Sequence, residues 1–488
     1  MPQKRHPGFF IVIDIGGVVQ VRIIYSKSSV IRYCKDLRNQ ECRYSIGIIM
    51  NQTSRTKATN KYKPDGEQHL SDYLAIMPGL LMCLMVLMMV VMDVTVPEMS
   101  TKQYDDFPVL FRVLNYSAVI CGAGYLAVLV YKKAIHFTLT HALFASFLLC
   151  IAISTAVNGL GDEAIHGLPY RNIGILHMMA FIIIYMGASS LINRNAFIEF
   201  IMLLYIAIAD FIGLAVLFDR YIGHIPAFHE KKDISAIFFN GNHYGYFLVM
   251  AVMIGLGYFM LSNGVKMTAG GISAVLNALL LILNHSTGCI LAASAVSVAA
   301  CLFVILKDKG HRQKAWIVLG ALILGIVAAY IASPDIRKEL EAFSEDLVAV
   351  MSNSASGSAG HNRMKVWMLT AKYIAERPLF GHGCEGISLR LFSETAISNP
   401  HNEILTYAAY YGIPAAAVYV LGVLSVVTTC IKRHSDKRIS REPSAMIACM
   451  AAAGYFISSI AGVAMFYTVP FFFVFLGLAC DDRTEPIK

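Results

Sequence analysis

Three adjacent residues, His401, Asn402 and Glu403, bring an imidazole, an amide and a carboxylate together where a polar stretch gives way to an apolar one. Ionisable groups at the edge of a membrane span cost free energy unless they are paired or serve a function. Histidine accepts and returns protons near neutral pH, and a neighbouring amide or carboxylate can fix which ring nitrogen carries the proton. The pattern predicts a functional site of a kind that these three residues do not specify, in which Asn402 and Glu403 are placed to fix the ring of His401.

Arginines in the polar loops are the second group that could do chemistry, because a guanidinium stays charged and matches phosphate oxygens. The candidates are Arg220, Arg363, Arg377 and Arg390. Plainer roles exist: Arg377 can cap a helix end, Arg363 can be a surface charge, and Arg220 can extend to the membrane interface. Asn402 can likewise be an ordinary helix N-cap, with His401 merely its neighbour.

The composition indicates a multi-pass membrane protein. Hydrophobic residues make up 57% of the 488 residues, charged residues 15%, and the mean hydropathy is +0.59, well above the values of soluble domains. A helix needs about 20 mostly apolar residues to cross the hydrocarbon core, and about 12 stretches approach that length. They predict an all-α polytopic fold with spans at 73–95, 108–131, 138–157, 173–192, 196–217, 241–261, 268–285, 287–306, 315–333, 403–429, 445–464 and 466–480.

The distribution of Lys and Arg orients these spans. By the positive-inside rule, the alternate short loops that are rich in basic residues lie in the cytoplasm. Those loops hold Lys132, Lys133, Arg194, Lys266, residues 307–314 and residues 432–441. Both termini are then cytoplasmic, including a tail at 481–488, and residues 334–402 form one large extracytoplasmic loop before the tenth span.

Residues 1–70 form a basic cytoplasmic segment ahead of the transmembrane domain predicted for residues 71–480. This segment holds 12 Lys or Arg and 5 acidic residues, a net charge of +7 out of +8 for the whole chain. The membrane body is therefore too weakly basic to predict a nucleic-acid partner. Residues 1–49 lack a helical stripe and an obvious signal peptide, so one interpretation is a true start at Met50, and the other is a genuine cytoplasmic tail.

The extracytoplasmic loop is predicted to build a two-helix cap over the bundle. Apolar residues at alternating spacings of four and three over residues 335–350 indicate an amphipathic helix, and a Ser/Gly linker follows at 352–360. A second helix is predicted over residues 362–376, and Pro378 with the glycines of Gly381-His382-Gly383 ends it. Because loops of this length usually carry function, the cap is expected to be part of the site.

An ordered set of motifs within residues 218–480 resembles the O-antigen ligase and O-antigen polymerase superfamily. The motifs are Arg363-x-x-x-Trp367, residues 375–383, Pro400-His401-Asn402-Glu403 and Gly412-Ile413-Pro414, with Gly241-Asn242-His243-Tyr244 upstream. Members are integral-membrane enzymes that handle lipid-linked glycans. The resemblance implies a glycosyltransferase of bacterial cell-envelope polysaccharide synthesis in the cytoplasmic membrane. Its donor would be a glycan on undecaprenyl or another polyprenyl diphosphate, and its acceptor a sugar hydroxyl at the outer face.

The resemblance also implies individual residue roles. His401 would be the base or acceptor-orienting group, and the substrate-binding residues would be Arg220, Arg363, Arg377, Trp367, His382 and Asn242. Among these, Arg220 and Arg363 are favoured for contact with the diphosphate. One departure is Thr287, which stands where many members have an arginine. Variants of this kind occur among wall-polysaccharide members of Gram-positive bacteria, which favours polymerisation of a capsular or wall glycan over lipopolysaccharide ligation.

Other functions fit parts of the sequence. A flippase for lipid-linked glycans would also have about 12 spans, but the two halves of the chain show no repeat. A peptidoglycan polymerase of the shape, elongation and division type would use an external aspartate such as Asp335, but the Pro-His-Asn-Glu signature argues against it. A scaffold among other polysaccharide-assembly proteins is supported only by the missing arginine.

The cysteines show no metal-ligand spacing, so metal-independent chemistry without a cofactor is predicted.

Overall fold

The computed structural model describes residues 108–132, 138–168, 171–192, 195–223, 234, 236, 238, 241–332, 337, 363–435, 443–466 and 468–480. All regular secondary structure in these ranges is helical, which confirms the all-α class. The helices are α1 (Pro108–Lys132), α2 (Leu139–Asn158), α3 (Asp162–His166), α4 (Ile175–Leu191), α5 (Asn195–Tyr221), α6 (Gly241–Leu261), α7 (Gly264–Leu283), α8 (Thr287–Lys307), α9 (Arg312–Ala332), α10 (Arg363–Glu376), α11 (Ser388–Thr395), α12 (Glu403–Tyr411), α13 (Ile413–Ser435), α14 (Pro443–Ser459) and α15 (Val469–Ala479). The basic segment 1–70, the proposed start at Met50, the first predicted span and the tail at 481–488 lie outside the described residues.

Each predicted span from the second onward coincides with helix in the structure. The tenth, predicted as one span over residues 403–429, is instead two helices, α12 and α13, which meet at Gly412 with its φ of 93°. Of the described helices, α2, α5, α6, α7, α8 and α13 are long and apolar enough to cross a membrane. The protein is therefore an integral membrane protein with several spans, while the number of 12 stays a prediction.

Helix α6 lies inside the described bundle, since nearly all of its residues from His243 onward are buried. It packs most extensively against α7 and α14. Small residues permit this close packing: a methyl group added at Gly255 would lie only 2.7 Å from the carbonyl oxygen of Gly270 in α7. Close contact between small residues is a common way for helices to associate within a membrane.

A polar contact joins α5 to α7 within the membrane-spanning part. The carboxylate of Asp210 accepts hydrogen bonds from Ser273 Oγ at 2.8 Å and from Asn277 Nδ2 at 2.6 Å. Carboxylates at such a depth are normally paired with partners on neighbouring helices. Asp210 therefore fixes the register of α5 against α7. Both helices precede the candidate site in the chain.

The described part of the loop that was predicted to be extracytoplasmic contains α10, which was predicted over residues 362–376, and the short helix α11, which was not predicted. Arg390 of α11 lies over the ring of Tyr373 in α10, with its guanidinium carbon 4.2 Å from the ring centroid. It also donates to both oxygens of Glu376, at 2.8 and 3.2 Å, and this hydrogen bonding lowers the pKa of that carboxyl. Of the helix predicted over 335–350, the structure describes only Arg337, which is helical, and the linker at 352–360 lies outside the described residues.

Candidate active site

Asn402 begins α12 as its N-cap. Its side-chain Oδ1 accepts a hydrogen bond from the amide of Leu405 at 3.0 Å, and its backbone carbonyl accepts from the Thr406 hydroxyl at 2.8 Å. This is the capping role that the sequence left open as the alternative, and it satisfies an amide that has no partner within the helix. Capping fixes where the chain turns into α12, directly after His401.

His401 is half-buried and has a left-handed backbone conformation, with φ of 51°. A residue with a Cβ atom is strained there and needs surrounding contacts to hold it. The amide of His401 donates to Asn399 Oδ1 at 2.9 Å. The indole Nε1 of Trp367 in α10 donates to the carbonyl oxygen of Pro400 at 2.9 Å. The residues on both sides of His401 are thus fastened, so its position is set before any substrate binds.

Glu403 points into the bundle and is only 1% exposed. Its Oε1 accepts hydrogen bonds from the hydroxyls of Tyr407 and Tyr419, each at 2.8 Å, and its Oε2 accepts from Tyr455 at 3.4 Å. These tyrosines lie on α12, α13 and α14. The carboxylate therefore joins α12, α13 and α14 next to residues 399–402, which form the loop of His401. The role of Glu403 in fixing the imidazole stays a prediction.

The predicted arginines lie at helix ends. Arg220 is exposed in the last turn of α5. Arg377 directly follows α10, is exposed, and donates from Nη1 to Asn158 Oδ1 at the end of α2, at 2.8 Å. Arg363 is the first residue of α10, and its side chain lies outside what the structure describes. Contact of these three arginines with a diphosphate stays a prediction.

The other predicted substrate-binding residues occupy different places. Trp367 contacts the loop of His401, as described above. The ring Nε2 of His382 donates to the carbonyl oxygen of Tyr373 at 2.8 Å, so this side chain joins α10 to the turn that follows it. Asn242 lies in the first turn of α6 and accepts from Ser286 Oγ at 2.9 Å, where α7 gives way to α8. The structure therefore brings Trp367, among these three, to the loop of His401.

The motif residues 378–383 pack against the break between α12 and α13. The amide of Ile413 donates to the carbonyl oxygen of Pro378 at 2.8 Å, and that of Gly383 donates to Tyr410 at 2.9 Å. A methyl group at Gly412 would lie 2.2 Å from the carbonyl oxygen of Leu379, so only glycine permits this approach. Two motifs that are distant in sequence are thus interlocked through their backbones, which explains why both contain glycine.

A buried ion pair next to this break was missed by the sequence reasoning. Arg171 Nη1 lies 3.2 Å from Glu385 Oε2, and the side chains are 2% and 0% exposed. The hydroxyl of Tyr410 donates to the same Oε2 at 2.7 Å. No local pattern in the sequence connects Arg171 to Glu385, because the two residues lie far apart in the chain. The part of the chain that the structure describes contains no group of three or more His, Cys, Asp or Glu residues arranged to hold a metal ion.

The fold and this site define a multi-pass helical membrane protein in which Trp367 of α10 holds the loop of His401 at the start of α12. Residues 272–420 match the family described as O-antigen ligase. The match confirms, over these residues, the resemblance to the O-antigen ligase and polymerase superfamily. It includes α10 to α12 and the loop of His401, whereas Arg220 and Asn242 lie upstream of it. No curated protein matches the chain.

Proposed function

We propose that the protein is a glycosyltransferase that polymerises or ligates oligosaccharides carried on a polyprenyl diphosphate, at the outer face of a bacterial cytoplasmic membrane. The observation that carries this proposal is that the matched residues 272–420 contain the whole histidine loop together with α10, which fastens it. The family supports an activity in polysaccharide assembly. We propose the lipid-linked donor, the outer face and the roles of single residues because the resemblance to the superfamily implies them.

The reaction needs one bond exchange at the anomeric carbon of the donor. The bond from this carbon to the diphosphate oxygen breaks, and its electron pair leaves with the lipid diphosphate. The acceptor hydroxyl oxygen forms the new glycosidic bond, and its proton passes to the imidazole of His401. Such a transfer depends mainly on positioning the two substrates and on offsetting the charge of the leaving group.

His401 suits the role of base because its position is fixed by its neighbours. The left-handed backbone, the hydrogen bond from its amide to Asn399 and the contact of Trp367 with Pro400 hold the residue in one place. A strained residue at a fixed position is typical of sites where geometry serves the chemistry. In this proposal Asn402 acts by starting α12 behind the histidine, and Glu403 by anchoring that helix to its neighbours.

The diphosphate is proposed to bind to arginines on the same side of the membrane. Arg220 and Arg377 are both exposed, and Arg363 begins the helix that carries Trp367. Guanidinium groups suit this role because they stay charged and donate two parallel hydrogen bonds to phosphate oxygens. Thr287, at the first position of α8, stands where many members of the superfamily have an arginine. For this reason we favour a polymerase of a capsular or wall glycan over a ligase.

Loss of the protein in its native host should cause lipid-linked repeat units to accumulate at the outer leaflet, because units that have already crossed the membrane are no longer consumed. We expect several-fold accumulation, measured with an oxidant that does not cross the membrane and labels only outward-facing sugars. If the lost protein is a polymerase, single repeat units should still be found on the final acceptor. If it is a ligase, the final acceptor should carry none. Accumulation at the inner leaflet alone would contradict the proposal and favour a flippase.

A further inference from the structure

Arg171 connects the two ends of the chain segment that leads to the histidine loop. One nitrogen, Nη1, lies 3.2 Å from Glu385 Oε2, and the other, Nη2, donates to Ser398 Oγ at 3.1 Å. Glu385 precedes α11 and Ser398 follows it, three residues before His401. A single guanidinium therefore closes the segment 385–398 into a loop with α11 inside it.

Both the ion pair and its surroundings are withdrawn from water. The side chains of Arg171 and Glu385 are 2% and 0% exposed, and Tyr410 and Ser388 donate their hydroxyl protons to the same carboxylate oxygen. Burying two charges costs several kcal/mol per ion in desolvation, which their attraction often fails to recover. General stability is therefore a poor explanation for this pair, and control of geometry is a better one.

The segment that carries Arg171 is itself fastened to the bundle. The carbonyl oxygen of Arg171 accepts a hydrogen bond from the amide of Phe466 at 3.2 Å, and that of Ile173 accepts one from the Tyr411 hydroxyl at 3.2 Å. Phe466 precedes α15, and Tyr411 is the last residue of α12. The guanidinium is thus presented from a fixed support, so it can impose a position on the cap residues that it contacts.

Two residues that the contacts of Arg171 hold, Glu385 and His401, have a strained backbone conformation. Glu385 has φ of 59° and His401 has φ of 51°, so each is a residue with a Cβ atom in the left-handed region. Such conformations persist only where contacts around them determine the structure. Arg171 contacts Glu385 directly. It acts on His401 indirectly, because it contacts Ser398, and the side chain of the next residue, Asn399, accepts a hydrogen bond from the amide of His401.

We infer that Arg171 is a positioning residue for the transfer reaction, which holds Ser398 and, through Asn399, the loop of His401 in the reactive arrangement. This inference rests on the proposed function. Arginine suits the role and lysine does not, because only the planar guanidinium reaches Glu385 and Ser398 at once. None of the motifs that carry the family resemblance contains Arg171, and the residue lies outside the matched range 272–420.

The test uses the full-length purified protein with a polyprenyl diphosphate-linked oligosaccharide, and three variants: Arg171→Lys, Ser398→Ala and the double variant. Arg171→Lys keeps the charge beside Glu385 but loses the hydrogen bond to Ser398, and Ser398→Ala loses the same bond from the other side. Each should lower kcat about tenfold, as expected for a bond to a charged group, with KM changed less than about twofold. The double variant should be no slower than Arg171→Lys, because both changes remove one interaction.

Hydrogen exchange of the amides of residues 398, 399, 401 and 402 gives a second result that does not depend on activity. It should rise in Arg171→Lys and Ser398→Ala while the melting temperature of the bundle is unchanged. Ser393→Ala is the matched control, since Ser393 lies in α11 and donates to the carbonyl oxygen of Arg390. Unchanged exchange, or a kcat per folded molecule equal to that of the wild type, would overturn the inference. A wild-type protein that transfers nothing would instead contradict the proposed function, with the exchange result still deciding whether Arg171 holds the loop.

Discussion

Cells in which His401→Asn replaces the wild-type protein are expected to make less than about one hundredth of the normal polymerised or ligated glycan, the range in which loss of a general base lowers a rate. Lipid-linked repeat units should accumulate in the same cells. The reason is that asparagine cannot accept the proton of the attacking hydroxyl. Glycan length on gels and lipid-linked intermediates in membrane extracts measure the two effects.

The choice of asparagine separates chemistry from backbone strain. Asparagine tolerates the left-handed region better than most residues, so the φ of 51° at position 401 can be kept. His401→Ala loses the imidazole as well and should be equally inactive, with both variants present at wild-type levels in the membrane. If His401→Asn made normal glycan while His401→Ala did not, the backbone at this position would be essential and the imidazole would not.

Glu403→Ala is expected to reduce the stability of the protein more than any other single change in the site. Three tyrosine hydroxyls donate to this carboxylate at 2.8, 2.8 and 3.4 Å, from α12, α13 and α14. Without it they are left buried without that acceptor, at about 1–3 kcal/mol each. The total should be about 3 kcal/mol or more, visible as a lower melting temperature in detergent and a smaller amount of folded protein.

Glu403→Gln is the matched variant for this prediction. It keeps the volume and one acceptor oxygen, so it should recover most of the melting temperature that Glu403→Ala loses. Recovery of stability together with transfer activity would show that Glu403 acts as an anchor of α12. A Glu403→Ala protein that melts with the wild type would contradict the anchoring role that its contacts indicate.

Much of the fold could be predicted because apolar runs about 20 residues long have few alternatives to a membrane-spanning helix. The error at residues 403–429 has a physical cause. The apolar character continues through α12 and α13, and hydropathy does not detect the change of direction at Gly412. The signal was present in Gly412-Ile413-Pro414, since glycine favours the end of a helix and proline the start of the next. Helix α11 was missed because it is short and lies in a polar loop.

The resemblance pointed to Trp367, which contacts the loop of His401, but local patterns predicted contacts in the candidate site only between residues that are neighbours in sequence. The capping role of Asn402 follows from a local preference, and Tyr407 follows Glu403 by one helical turn. Tyr419 and Tyr455 come from other helices, and nothing near Glu403 indicates them. The same holds for Arg171, whose partners Glu385 and Ser398 lie more than 200 residues away in the chain. Contacts of this kind depend on how the helices assemble, which composition and periodicity do not encode.

The most direct test of glycosyl transfer centred on His401 is to measure the polyprenyl diphosphate released by the purified protein from a lipid-linked oligosaccharide. The wild type should release one lipid diphosphate for each glycosidic bond formed, and folded His401→Asn protein should release almost none. Release at the wild-type rate by His401→Asn, or glycan movement without any release by the wild type, would contradict the account.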